Sequence, residues 1–158
     1  MTISDNSIDV RILLAGRWDG LLSDIVDVLQ REPQFEIIGP CETYLAAIRQ
    51  VLCLSPQVTL IDMASFDSDP FQTAVVILSI SHNCRVLFLG DHPTDDQINT
   101  ILAIRAHGLV CETRRPAAVL AAVGEVASGG MSFCESIRSR LIIASDGIRL
   151  GRVARQDG

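Results

Sequence analysis

Short, nearly unbroken apolar runs alternate along this chain with longer stretches whose apolar residues return every three or four positions. The runs Val10 to Ala15, Phe35 to Gly39, Val58 to Ile61, Arg85 to Leu89 and Leu109 to Cys111 predict five strands. Their continuous hydrophobicity suits strands covered on both faces, because a sheet with one wet face alternates instead. Between them, Leu21, Leu22, Ile25, Val26, Val28 and Leu29 mark a helix over Leu21 to Arg31, and Thr43 to Leu54 and Thr94 to His107 carry the same periodicity. Asp19 or Gly20 is the expected cap of the first helix, and Thr94 followed by Gln97 reads as a capping box.

Phe71 to Ser81 is ambiguous, since Ala74 to Leu78 has strand propensity and only the alternation of elements favours helix. The last long helix, Pro116 to Ser128, opens on proline, stops before Gly129-Gly130 and holds a single charge, Glu125. A helix apolar on nearly every side has more than one face to bury, which predicts a homodimer contact there besides the sheet. Glu135 to Ala144 is expected as one more short helix, followed by an Asp146-Gly147 turn and an arginine-spaced tail with little to bury. The strand-helix rhythm defines an α/β protein: a doubly wound, five-stranded parallel sheet with helices on both faces.

Several segments taken in order resemble response-regulator receiver domains. They are Val10 to Ala15, Val58 to Met63 after Pro56, Arg85 to Leu89, and Ala106-His107-Gly108-Leu109 with Pro116 downstream. Val126 to Gly130 before Met131 and Phe133 is similar to the NarL/FixJ subfamily, in which the receiver precedes a DNA-binding helix-turn-helix. The resemblance covers residues 9 to 134 and implies the flavodoxin-like receiver fold, with its site at the carboxyl ends of the strands. It also implies phosphoryl transfer from a histidine kinase to an aspartate. That chemistry uses Mg²⁺ held by carboxylates, with a lysine and a hydroxyl residue on the phosphoryl oxygens.

Asp62 matches the phosphoacceptor, while four other site positions depart from the pattern. Gly16 and Arg17 stand where the resemblance implies an acidic pair, Gly90 where it implies Ser or Thr, and Glu112 where it implies Lys. Arg17 brings a fixed cation to the metal's place, and a guanidinium cannot offer a phosphate open coordination positions. The reversed signs at Arg17 and Glu112 predict an ion pair of Arg17 with Asp62 or Glu112. Trp18 is expected as a cap over the pocket or a contact for a partner. A plain strand-end role for Asp62 and a solvated Arg17 are the competing readings. Asp19 and Asp91 are read as a helix cap and a loop residue rather than replacement metal ligands.

Composition narrows the chemistry further. All thirteen basic residues are arginine, so no lysine ammonium takes part in any mechanism. The net charge of −6 argues against a nucleic-acid surface. From Arg138 onward the tail carries +3 and the remainder −9. Cys41, Cys53, Cys84, Cys111 and Cys134 form no CxxC pair and no zinc-type spacing with His82, His92 or His107. They are expected to be buried free thiols, and no metal or cofactor is expected. The longest apolar runs are too short to cross a bilayer, and the polar, acidic start lacks signal-peptide character. These features predict a soluble, cytoplasmic, non-enzymatic protein.

The expected organisation is a polar extension over 1–8, a receiver-like domain over 9–134, and a linker helix with an arginine-rich tail over 135–158. The expected function is an atypical receiver acting by protein contact or homodimerisation, in transcriptional regulation, with a regulatory protein or a histidine kinase as partner. A receiver still phosphorylated at Asp62 and a small-ligand-binding regulatory domain are the alternatives. DNA binding would need an output domain of about 60 residues outside this chain, since only about 25 follow the Gly-Gly turn.

Overall fold

The computed structural model describes residues 9–152, so the predicted extension over 1–8 and the end of the arginine tail lie outside the described residues. The chain runs β1 (Val10–Ala15), α1 (Ser23–Gln30), β2 (Phe35–Cys41), α2 (Tyr44–Leu54), β3 (Val58–Asp62), α3 (Pro70–Ile80), β4 (Arg85–Leu89), α4 (Asp95–Ala103), β5 (Gly108–Val110) and α5 (Pro116–Ala127). It continues through β6 (Ser132–Phe133), α6 (Glu135–Arg138), β7 (Leu141–Ala144) and β8 (Gly147–Leu150). β1 to β6 form one parallel sheet in the order β2-β1-β3-β4-β5-β6.

Successive strand residues point to opposite faces, and both faces are covered. Ile12, Leu14, Leu60, Leu87 and Leu89 pack with α1 and α5. Leu13, Ala15, Ile61, Val86 and Phe88 pack with α2, α3 and α4. This double cover explains the unbroken apolar strands. It also settles the ambiguous segment, because Pro70–Ile80 is a helix capped by the Asp69 carboxylate on the N–H groups of Phe71 and Gln72. The expected capping box of Thr94 and Gln97 is present at α4. None of the helices among the described residues is long and apolar enough to cross a membrane.

Three elements differ from the sequence-based expectation. Asp19 precedes a 3-10 turn over Gly20–Leu22 and gives it no side-chain cap. The sheet gains a sixth strand beside β5, because a β-carbon at Gly108 would stand 2.1 Å from the Ser132 carbonyl oxygen and only glycine admits that approach. The helix expected over Glu135 to Ala144 stops at Arg138, and β7 and β8 pair as an antiparallel hairpin closed by Ser145-Asp146 before Gly147. The β-branched Ile142-Ile143 ahead of Asp-Gly is a hairpin pattern, and it prevails over helix here. The hairpin also has something to bury: Leu141, Ile148 and Leu150 pack against the α2–α4 side of the core. Arg140 fastens it to α4 by two bonds to the Asp95 carboxylate, at 3.1 and 2.7 Å, and the Leu150 N–H donates to Asn99 Oδ1.

Candidate functional site

Asp62 ends β3 in the middle of the sheet, level with Leu89 of β4. Its side chain is buried at 4% exposure, so the carboxylate needs partners from the protein. Both come from Ser65: its backbone N–H donates to Oδ2 at 3.2 Å, and its hydroxyl donates to the same oxygen. The hydroxyl oxygen in turn accepts from the Arg17 backbone N–H at 3.0 Å. A serine hydroxyl has one proton to give, and here it is given to Asp62. The Phe66 N–H closes the turn on the Asp62 carbonyl oxygen at 3.1 Å.

Neighbouring side chains fill the space beside Gly16 and Gly90. Gly16 has φ +126°, and a β-carbon on it would lie 2.7 Å from Ser65 Oγ and 3.2 Å from Asp62 Cβ. The serine hydroxyl therefore stands where a side chain at position 16 would begin. At Gly90 a β-carbon would lie 2.1 Å from Cε of Met63, so the thioether of Met63 occupies the space of the expected hydroxyl residue.

The ion pair expected across the site is not formed. Arg17 is exposed, and among the described residues its guanidinium makes no ion pair; it contributes its backbone N–H alone. Glu112 pairs with Arg115 at 2.8 Å, on the surface. The physical reason is local, since a neighbour three residues on at the start of α5 is closer than a residue across the edge. In the β1–α1 loop it is Trp18, not Arg17, that turns inward. Trp18 is 4% exposed, adopts φ +54°, packs with Ile12, Leu14 and Val110, and donates its Nε1–H to the Ala15 carbonyl oxygen at 2.9 Å.

The donor set does not fit the Mg²⁺ that the receiver pattern implies. Asp62 is the one carboxylate in the cluster, its Oδ2 is already bonded, and its neighbours are glycines, a thioether and a hydroxyl whose proton is committed. Asp19, Asp91 and His92 are exposed on loops, and the described residues contain no group of three or more His, Cys, Asp or Glu able to hold a metal. His107 has a structural role: its Nδ1 accepts from the Val86 N–H at 3.1 Å, and burial with Arg85 nearby holds its pKa below the ordinary histidine value. A cleft of about 760 Å³ lies away from Asp62, between α4 and the C-terminal segment, lined by His92, Asp95, Cys111, Ile137 and Arg140 among others.

A parallel sheet whose first five strands run in the order 2-1-3-4-5, with helices on both faces, is the flavodoxin-like fold, and solved receiver domains share it. The isolated receiver domain of RcsB from Salmonella enterica serovar Typhimurium superposes with TM-score 0.72 at 17% identity, over 83% of this chain and 97% of that one. A LuxR-family two-component response regulator from Aurantimonas sp. SI85-9A1 gives 0.73 at 16% identity, over 82% and 93%. The receiver domain of a NarL response regulator from Mycobacterium tuberculosis gives 0.68 at 21% identity, over 77% and 98%. A longer RcsB structure is covered over 68% of its length. No family profile and no curated protein matches the sequence.

Two residues of the site escaped the sequence analysis. Ser65 left a faint signal, because a hydroxyl three residues beyond a strand-end aspartate is at capping distance. Met63 left none: that its methyl fills the space beside Gly90 depends on how β3 and β4 lie side by side.

Proposed function

We propose that this chain is an atypical receiver domain of a bacterial two-component-type regulator, working in the cytoplasm by protein contact or homodimerisation rather than by Mg²⁺-dependent aspartyl phosphorylation. The observation that carries the reading is the state of Asp62, a buried carboxylate satisfied by Ser65 and flanked by Gly16 and Gly90 where the chemistry needs acid and hydroxyl groups. Asp62 then serves as an internal anion that holds the β3–α3 turn to the β1–α1 loop through Ser65.

Dimerisation is supported by two things. α5 uses Val119, Ala122, Val123 and Val126 on the sheet and α1, which leaves Ala117, Ala121 and Gly124 exposed as a smooth outer face. RcsB, similar in fold, forms dimers on DNA. By that likeness the regulated process is transcription, with a regulatory protein or a kinase as the partner.

The test is incubation with acetyl phosphate and Mg²⁺, followed by intact mass, with Asp62→Asn as control. The expected result is an unchanged mass. A gain of one phosphoryl group that Asp62→Asn abolishes would establish the conventional receiver instead.

A further inference from the structure

Cys111 and Cys134 are far apart in sequence, yet the structure sets their sulfurs 2.7 Å from one another. Cys111 follows β5 and Cys134 follows β6, and these strands run parallel with Leu109 opposite Phe133. Neighbouring strands lie about 4.8 Å apart, which falls in the Cα separation that a disulfide spans, about 4.4–6.8 Å. Cys111 and Cys134 stand one residue out of register just past the ends of these strands, and their side chains already bring the sulfurs into contact. Both residues are partly exposed, unlike the buried Cys41 and Cys84, and Cys53 is exposed on α2.

We propose that Cys111 and Cys134 form a reversible, peroxide-sensitive dithiol that closes to an intramolecular disulfide. The thiolate of Cys134 attacks one oxygen of hydrogen peroxide, the O–O bond breaks, and hydroxide leaves to take up a proton as water. The resulting sulfenic acid is attacked by the sulfur of Cys111, which gives up its proton as the second water departs. Two thiols lose two electrons and two protons, and one peroxide becomes two waters. A low-molecular-weight thiol reverses the bond by exchange.

Which sulfur attacks follows from the environment. The hydrogen bond with Cys111 lowers the pKa of the Cys134 thiol, helped by Ser136 and by the backbone N–H groups of Ile137 and Cys134 itself. Cys111 is pushed up, first by its bond to Cys134, then by burial and by the nearby acids Asp91 and Glu112. A low-pKa thiolate beside a resolving thiol is the arrangement of a redox-responsive pair. The bond would tie the start of the C-terminal segment, whose hairpin lies on α4, to the residue immediately before Glu112. This chemistry does not depend on the receiver reading.

The experiment is stoichiometric hydrogen peroxide on the reduced, full chain and on Cys53→Ser, with thiol counting and non-reducing peptide mapping. The expected result is loss of two thiols, a linked Cys111–Cys134 peptide in both proteins, and recovery of both thiols with dithiothreitol. In Cys111→Ser the sulfenic acid at Cys134 should accumulate and be trapped by a dimedone-type probe. Peroxide that leaves both thiols alkylatable, or that drives Cys134 to sulfinic acid with no linked peptide, overturns the proposal.

Discussion

The methyl of Met63 lies where a β-carbon on residue 90 would have to stand, 2.1 Å from it. The two positions therefore share one volume, and a hydroxyl side chain at 90 and the present rotamer of Met63 exclude each other. Because the conflict is with the far end of a flexible chain, Gly90→Ser should destabilise by only about 0.5–1.5 kcal/mol, the scale of a displaced rotamer. Met63→Ala, from a half-buried site, should cost about 1–2 kcal/mol. The double variant should cost less than the sum by about 0.5–1 kcal/mol, read from urea midpoints. Strict additivity would show that the methyl does not hold that space.

Ser65→Ala removes the hydroxyl that joins Asp62 to the Arg17 backbone while leaving the Ser65 N–H in place. A buried carboxylate that loses one of two donors should lower stability by about 1–2 kcal/mol. Asp62→Ala combined with Ser65→Ala should fall short of additive, since the hydroxyl has nothing to bond once the carboxylate is gone. Thermal unfolding of the four proteins measures it, and additive losses would remove Ser65 from the site.

The pH dependence follows from His107, whose folded pKa lies below the ordinary 6.5. The unfolded chain binds this proton more readily, so the contribution of His107 is complete above 6.5. It is lost as pH falls through 6.5 toward the lower folded value, and below that the slope from this group vanishes. His107→Asn places an oxygen where Nδ1 accepts from Val86 and removes the titration. Its unfolding free energy should change less between about pH 7 and about pH 5 than that of the native chain. Equal slopes in urea melts at the two pH values would exclude His107 as the source.

Dimerisation through α5 is probed best where the monomer has nothing to lose. Ala121 is exposed, so Ala121→Glu should leave monomer stability within about 0.5 kcal/mol. A glutamate on each of two facing helices should shift sedimentation at micromolar concentration from dimer to monomer. A native chain that sediments only as monomer, or a variant that stays dimeric, places the contact elsewhere.

Five of the six strands in the main sheet were legible because strands buried on both faces must be apolar throughout, and no other common arrangement produces that pattern at this rhythm. β6 was not, since a two-residue strand carries no periodicity and exists only because Gly108 lets Ser132 approach. The first strand of the C-terminal hairpin reads as helix and the second as tail, because local propensity there is weak and the deciding contacts, Arg140 with Asp95 and Leu150 with Asn99, lie 45 and 51 residues apart in sequence. Asp62, Gly16, Arg17, Gly90 and Glu112 stand out in the sequence by their place after the strands. The contacts that now define the site, through Ser65 and Met63, do not.

By itself the sequence determined the layer order of this protein and the place of Asp62 at the end of an apolar strand, because periodicity and residue type are local properties. It also determined which residue types stand at positions 16, 17, 90 and 112. Only the tertiary structure decided what fills the space beside them: the Ser65 hydroxyl at Gly16 and the Met63 thioether at Gly90, with Arg17 left in solvent. It alone joined Cys111 to Cys134. Side-chain partnership is set by distances between strands and loops that the chain reaches only once folded, and no spacing along the sequence encodes them.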